Sequence, residues 1–131
     1  VRTVDKAVQA MVQSRMAEIV EGVAKGYGVA AELTYDVWYP ATVNSPRETE
    51  FAAEVARDVV GDAMVEPEAG REMGAEDFAY FLEARPGAYL FLGQGEGAGL
   101  HHAKYNFNDS VAPIGASFFA RLVERKLPLE G

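Results

Sequence analysis

The sequence predicts an α/β fold, on three observations. Apolar residues recur at helical spacing through positions 8–23, the period then switches to two through positions 29–39, and the run AYLFLG at 88–93 is apolar throughout, as a strand covered on both faces should be. A helix between two extended stretches makes a βαβ-like unit, whose helix can cover only one face of a sheet.

The elements follow in order. VRTV, residues 1–4, reads as a first strand. Asp5 then opens an amphipathic helix with Val8, Met11, Val12, Met16, Ile19, Val20 and Val23 on one stripe, ending at Gly26 and Gly28. From Val29 to Tyr39, odd positions alternate with Ala30, Glu32, Thr34, Asp36 and Trp38, which predicts a strand with one buried face. YPATVNSPRE breaks the pattern, and a boundary is placed near 41–44. Ser45, Pro46 and Glu48 have the spacing of a capping box with proline in the first helical position, so a second helix is expected to bury Phe51, Ala52, Val55 and Val59 and to stop at Gly61. AMVE at 63–66 predicts a short strand. GAEDFAYFLEARPG predicts a helix of two or three turns burying Phe78, Phe81 and Leu82, ended by the Arg85-Pro86-Gly87 turn. VAPIGASFFARLVERKL predicts a closing helix with Val111, Ile114, Phe118, Phe119, Leu122 and Val123 inward. There is no internal repeat.

Composition narrows the function classes. The chain of 131 residues is 49% hydrophobic and 11% aromatic, enough for one ordinary core. No run reaches the ~18 apolar residues of a membrane span, so no membrane partner is expected. The net charge of -8 has the wrong sign for phosphate backbones, so no nucleic acid is expected either. With no cysteine there is neither a disulfide framework nor a thiolate metal cage, and a cytoplasmic setting is favoured. The chain begins at Val1, already in strand pattern, and reads as a cut piece.

Chemistry concentrates at GLHHAKYNFND, residues 99–109, which holds both histidines. The preceding GQGEGAG fits G-x-G-x-x-A through Gly93, Gly95 and Ala98, but no helix start follows before Asn108, which favours a close-packed turn over a phosphate cradle. His101 and His102 stand where open α/β sheets place their sites, and adjacent residues in extended chain point apart, so one metal centre would take only one of them. Such a centre wants three or four donors, and the others would be carboxylates such as Glu76, Asp77 or Asp109 or come from elsewhere. Glu76 and Asp77 are read first as helix N-terminal carboxylates, since helix neighbours point about 100° apart. Arg2 and Asn44 are individually uninformative.

Taken together, MGAEDFAYFLEARPGAYLFLGQGEG and LHHAKYNFNDSVAPIGASFFARLV resemble the C-terminal segment of the aminoacylase and hippurate hydrolase group, the N-acyl-L-amino-acid amidohydrolases of metallopeptidase family M-twenty. VRTVD, the long helix and YPATVNSP are similar to the second half of that family's small lid domain. The resemblance implies a lid (dimerisation) half over 1–43 and the C-terminal part of an α/β metallohydrolase catalytic domain over 44–131. It implies hydrolysis of N-acyl amino acids or similar small amides by two divalent ions, zinc, manganese, cobalt or nickel, bridged by a water, with a glutamate moving the proton. His101 matches the family's last metal ligand. Arg2 and Asn44 match lid residues that contact the substrate carboxylate or polarise the carbonyl, and arginine's planar fork suits a carboxylate. His102 takes no role from the resemblance. The catalytic glutamate and remaining ligands have no counterpart, so the piece alone is expected to be inactive, to depend on the remainder of the same polypeptide, and to form a homo-oligomer through the lid. The rival reading is a non-catalytic binding or dimerisation module of the same fold.

Overall fold

The computed structural model describes residues 1–128. Among them four α-helices and two single 3₁₀ turns are formed, and no strand. The helices are α1 (Lys6–Tyr27), α2 (Pro46–Val60), α3 (Phe78–Ala84) and α4 (Ala112–Lys126). The chain divides into two compact units, residues 1–43 with 71–85, and residues 44–70 with 86–128.

The α/β expectation, with its βαβ lid and α/β catalytic part, is therefore corrected: the described residues are all helix, turn and extended chain. Residues 1–4, 29–39 and 88–93 carry strand-like patterns, yet none enters a ladder, and AMVE lies across the 3₁₀ turn Asp62–Met64 and the residues after it. The reason is that a strand is a property of a pair. Alternation shows which face wants burial but cannot supply the N–H and C=O groups of a neighbour. Without one the faces stay open: Val37 and Trp38 are 55% and 73% exposed, and Phe91 is 70% exposed.

In the first unit α1 is specified by local terms. The Asp5 side chain accepts from the Val8 N–H at 2.9 Å, capping the first turn. Gly28, at φ 67°, closes the last turn in the left-handed conformation that glycine adopts without penalty. Glu21 precedes its partner Lys25 by four residues, 2.6 Å apart, the favourable order for a helix pair worth about 0.3–0.5 kcal/mol. The predicted apolar stripe is largely uncovered, and Ala24 is the one buried residue of the helix. Lys6 pairs with Glu83 of α3 at 2.7 Å, and the Tyr80 hydroxyl donates to the Trp38 carbonyl at 3.1 Å. Helix α3 buries Ala79, whereas Phe81, expected inward, is 68% exposed.

The second unit has a true helix pair. Helix α2 buries Ala52, Ala53 and Val55, the last fully, in the contact with α4. Along the rim Arg125 reaches Glu54 at 3.1 Å and Asp58 at 3.0 Å, while Arg121 stands 3.5 Å from Asp58. These part-exposed pairs set the register of the two helices more than they add stability. The capping box is not made. The Ser45 hydroxyl instead accepts from the Gly87 N–H at 3.2 Å, and the Ser45 N–H donates to the Gly87 carbonyl at 2.9 Å. On α4 the predicted inward face is partly open, with Phe119 67% and Val123 55% exposed.

Candidate functional site

The residues singled out by the sequence fall in both units. Arg2 lies in the first, exposed, its guanidinium donating to the Met73 carbonyl. Glu76 and Asp77 lie there too. The Glu76 carboxylate accepts from the Asp77 N–H at 3.1 Å, and Asp77 stands at the N-cap of α3 without a side-chain cap bond.

Asn44, His101 and His102 lie in the second unit. Asn44 is half-buried and uses both ends of its amide on one residue: Nδ2 donates to the Tyr89 carbonyl at 2.9 Å, and Oδ1 accepts from the Tyr89 N–H at 2.8 Å. It thus acts as a side-chain substitute for a backbone pairing, beside the Ser45–Gly87 clip.

The segment from Gln94 to Asn108 forms a loop of two successive turns. The His102 N–H donates to the Gly99 carbonyl at 3.1 Å, and the Tyr105 N–H donates to the His102 carbonyl at 2.9 Å. In the first turn His101 occupies the third position with φ 67°, the only non-glycine residue at positive φ among the described residues. That place in a turn ordinarily falls to glycine or asparagine, and a side chain there costs about 1–3 kcal/mol and persists where the surroundings impose it. The His101 imidazole is exposed and makes no hydrogen bond to the described residues, so both ring nitrogens are open to a ligand. His102 differs, because its Nδ1 accepts from the Lys104 N–H at 3.1 Å, which ties that ring to the second turn.

The glycine stretch is not close-packed as expected. A Cβ at Gly93, Gly95, Gly97 or Gly99 would meet nothing within 4 Å, and only Gly95, at φ 87°, has a conformation that asks for glycine. An open hollow beside the loop is lined by Gln94, Glu96, Lys104, Asn106, Phe107 and Asp109 among others, and neither histidine lines it.

A divalent ion takes three or four protein donors. Among the described residues no group of three histidines, aspartates or glutamates stands close enough to hold one. The described residues therefore do not make a whole centre, and the His101 ring is a free nitrogen donor without neighbours among them to complete one.

Pattern reading missed Gln94 and Asn108. They bracket the loop, and Gln94 Oε1 accepts from both the Tyr105 hydroxyl at 3.3 Å and the Asn108 N–H at 3.2 Å. The available signal was weak: two amides flanking the histidines, one of them at the start of a helix.

Comparison with known proteins gives the context of this loop. The family model described as peptidase family M20/M25/M40 matches residues 2–125. The chain is similar to the hippurate hydrolase of Campylobacter jejuni subsp. jejuni, 30% identical over 127 residues, covering 97% of this chain and 33% of that protein. It is similar to the N-acetylcysteine deacetylase of Bacillus subtilis, 30% identical over 122 residues, covering 93% of this chain and 31% of the relative. It is also similar to the N-acetyldiaminopimelate deacetylase of Bacillus velezensis, 35% identical over 107 residues, covering 81% of this chain and 28% of the relative. The chain thus spans about a third of the length of the curated relatives it matches. No solved structure matches.

Proposed function

The chain belongs to peptidase family M20/M25/M40, and from that premise we propose that it supplies one metal ligand, His101, and two substrate contacts, Arg2 and Asn44, to an amidohydrolase that cleaves N-acyl amino acids. The names of the relatives support the substrate class: hippurate, N-acetylcysteine and N-acetyldiaminopimelate each carry an amide on an amino-acid nitrogen. The observation that carries the reading is the His101 ring, exposed and unbonded on a residue at positive φ, because strain of this kind clusters at active sites and ligand clamps.

Divalent ions bound in such an enzyme polarise the amide carbonyl and activate water. His101 contributes one imidazole nitrogen. Arg2 keeps several N–H donors beyond the one given to Met73, and they suit a substrate carboxylate. The Asn44 carboxamide retains one N–H and one lone pair beyond its Tyr89 bonds, enough for a single further contact.

Because no three such ligands stand together among the described residues, the 131-residue chain alone should take up no zinc at micromolar concentration and hydrolyse no N-acyl amino acid. A polypeptide spanning the full length of the relatives should bind two ions, with His101→Ala losing at least one of them and more than a hundredfold of kcat/KM. Calorimetric zinc titration checks the stoichiometry, and undiminished uptake in His101→Ala would remove the metal-ligand role.

A second reading is favoured by the uncovered stripe of α1, where Met11, Ile19 and Val23 are more than half exposed. On this reading the chain associates with a second copy and has no chemistry. Metal-independent dimerisation of a full-length protein that lacks hydrolase activity would select it.

A further inference from the structure

The loop that carries His101 is closed by a clasp at its base. Gln94 and Asn108 are the two ends, and His101 is midway between them. Three hydrogen bonds cross the base: Asn108 N–H to Gln94 Oε1 at 3.2 Å, Asn108 Nδ2 to the Gln94 carbonyl at 3.0 Å, and the Tyr105 hydroxyl to Gln94 Oε1 at 3.3 Å. The Asn108 N–H can only donate, so the Gln94 amide must present its oxygen inward, and that one oxygen serves two donors. Asn108 is itself held from the far side, its Oδ1 accepting from the Ser110 N–H at 3.1 Å and the Ser110 hydroxyl at 2.6 Å just ahead of α4.

Between the ends the backbone is held by the two turn bonds, His102 N–H to the Gly99 carbonyl and Tyr105 N–H to the His102 carbonyl, and by the Lys104 N–H on His102 Nδ1. Most of residues 95–107 are exposed, and a Cβ at Gly95, Gly97 or Gly99 would meet nothing within 4 Å. A loop so rich in glycine has many accessible conformations, and ordering it costs conformational entropy at every residue fixed. The left-handed conformation at His101 is set within the Gly99–His102 turn, and the base of the loop adds the side-chain constraint that holds the ends of the segment carrying that turn.

We propose that Gln94 is a positioning residue whose amide oxygen, clasped to Tyr105 and Asn108, fixes the 95–107 loop so that the backbone at His101 is held in one conformation. The functional value of this role rests on the reading of His101 as a metal ligand: a ligand already ordered before the ion arrives loses less entropy on binding. The clasp itself is tested without metal.

The probe is amide hydrogen exchange of the 131-residue chain by NMR, together with the Cα and Cβ shifts of His101, which report positive φ. Gln94→Leu keeps the side chain as far as Cδ and removes the acceptor oxygen. Gln94→Glu keeps an oxygen able to accept from both donors. Exchange of the hydrogen-bonded His102, Lys104 and Tyr105 amides should rise about tenfold in Gln94→Leu, with the positive-φ signature of His101 lost, while α2 and α4 keep their protection. Gln94→Glu should restore both readouts. Should Gln94→Leu fail to fold, Asn108→Asp removes only the Nδ2 donor and leaves the Ser110 contacts, and a severalfold rise confined to the loop is expected. Unchanged exchange in Gln94→Leu, or in Asn108→Asp if that is the variant that folds, overturns the clasp, as does failure of Gln94→Glu to restore order. Undiminished zinc uptake by His101→Ala in the full-length protein would be a failure of the ligand reading alone, because none of these readouts contains a metal.

Discussion

Helices α1 and α2 have the same kind of sequence, an apolar stripe at helical spacing with a polar opposite face, and the two stripes meet different fates. Val55 of α2 is fully buried in the contact with α4, whereas Ile19 of α1 is 57% exposed and Ala24 is the only residue of its helix that is shut away. Periodicity therefore reports that a face exists and not that anything covers it. A helix with a covered face is held by packing, and one without depends on its caps and local pairs.

The strongest test of that contrast pairs one buried and one exposed substitution. Val55→Asp places a carboxylate in a site with no partner, so the second unit should lose about 4 kcal/mol or more, enough to unfold a domain of ordinary stability. Ile19→Asp at the exposed stripe should change stability by no more than about 0.5 kcal/mol. Urea unfolding of both variants decides. An effect at Ile19 comparable to that at Val55 would mean that the α1 stripe is covered in solution, and the comparison would collapse.

The same contrast explains what the sequence could convey. Helix limits were legible because their signals are local: Asp5 and Gly28 act within one turn of α1, and Pro46 starts α2 where its missing N–H is not needed. Strands were misread at 29–39 and 88–93 because alternation is local but a ladder is not. Ser45 shows the limit in one residue. Its spacing to Glu48 suits a capping box, yet its hydroxyl is taken by Gly87, far along the chain, a competitor no short window contains. In the candidate site His101 was reached by resemblance, since nothing in its spacing required a ligand. The Gln94–Asn108 clasp stayed invisible because it depends on how the intervening loop closes.

A smaller effect sharpens the comparison at the backbone. In the first unit the only positive φ belongs to a glycine, Gly28, whereas the second unit carries one on a histidine. Strain on a side-chain-bearing residue survives where neighbouring contacts over-determine the conformation, and those contacts are in the second unit. His101→Gly should then stabilise that unit by about 1 kcal/mol, because glycine takes the same φ without penalty. Thermal unfolding measures it. A loss of stability instead would show that the ring itself packs, against the exposure seen here.

The smallest effect belongs to the uncovered helix. Asp5 accepts from the Val8 N–H and is the only side-chain cap at the start of α1, so Asp5→Ala should cost about 1 kcal/mol of local helix stability, read as fraying of the first turns. The outcome is informative because of where the loss goes. In a helix stitched into a core, the cap is one term among many and its removal spreads over the whole cooperative unit. In α1 the loss should stay local, raising amide exchange near Gln9 and Ala10 about fivefold while the protection of α2 and α4 is untouched. If α2 and α4 lose protection in step with α1, the two units unfold as one, and the distinction between a packed helix and a merely capped one no longer holds.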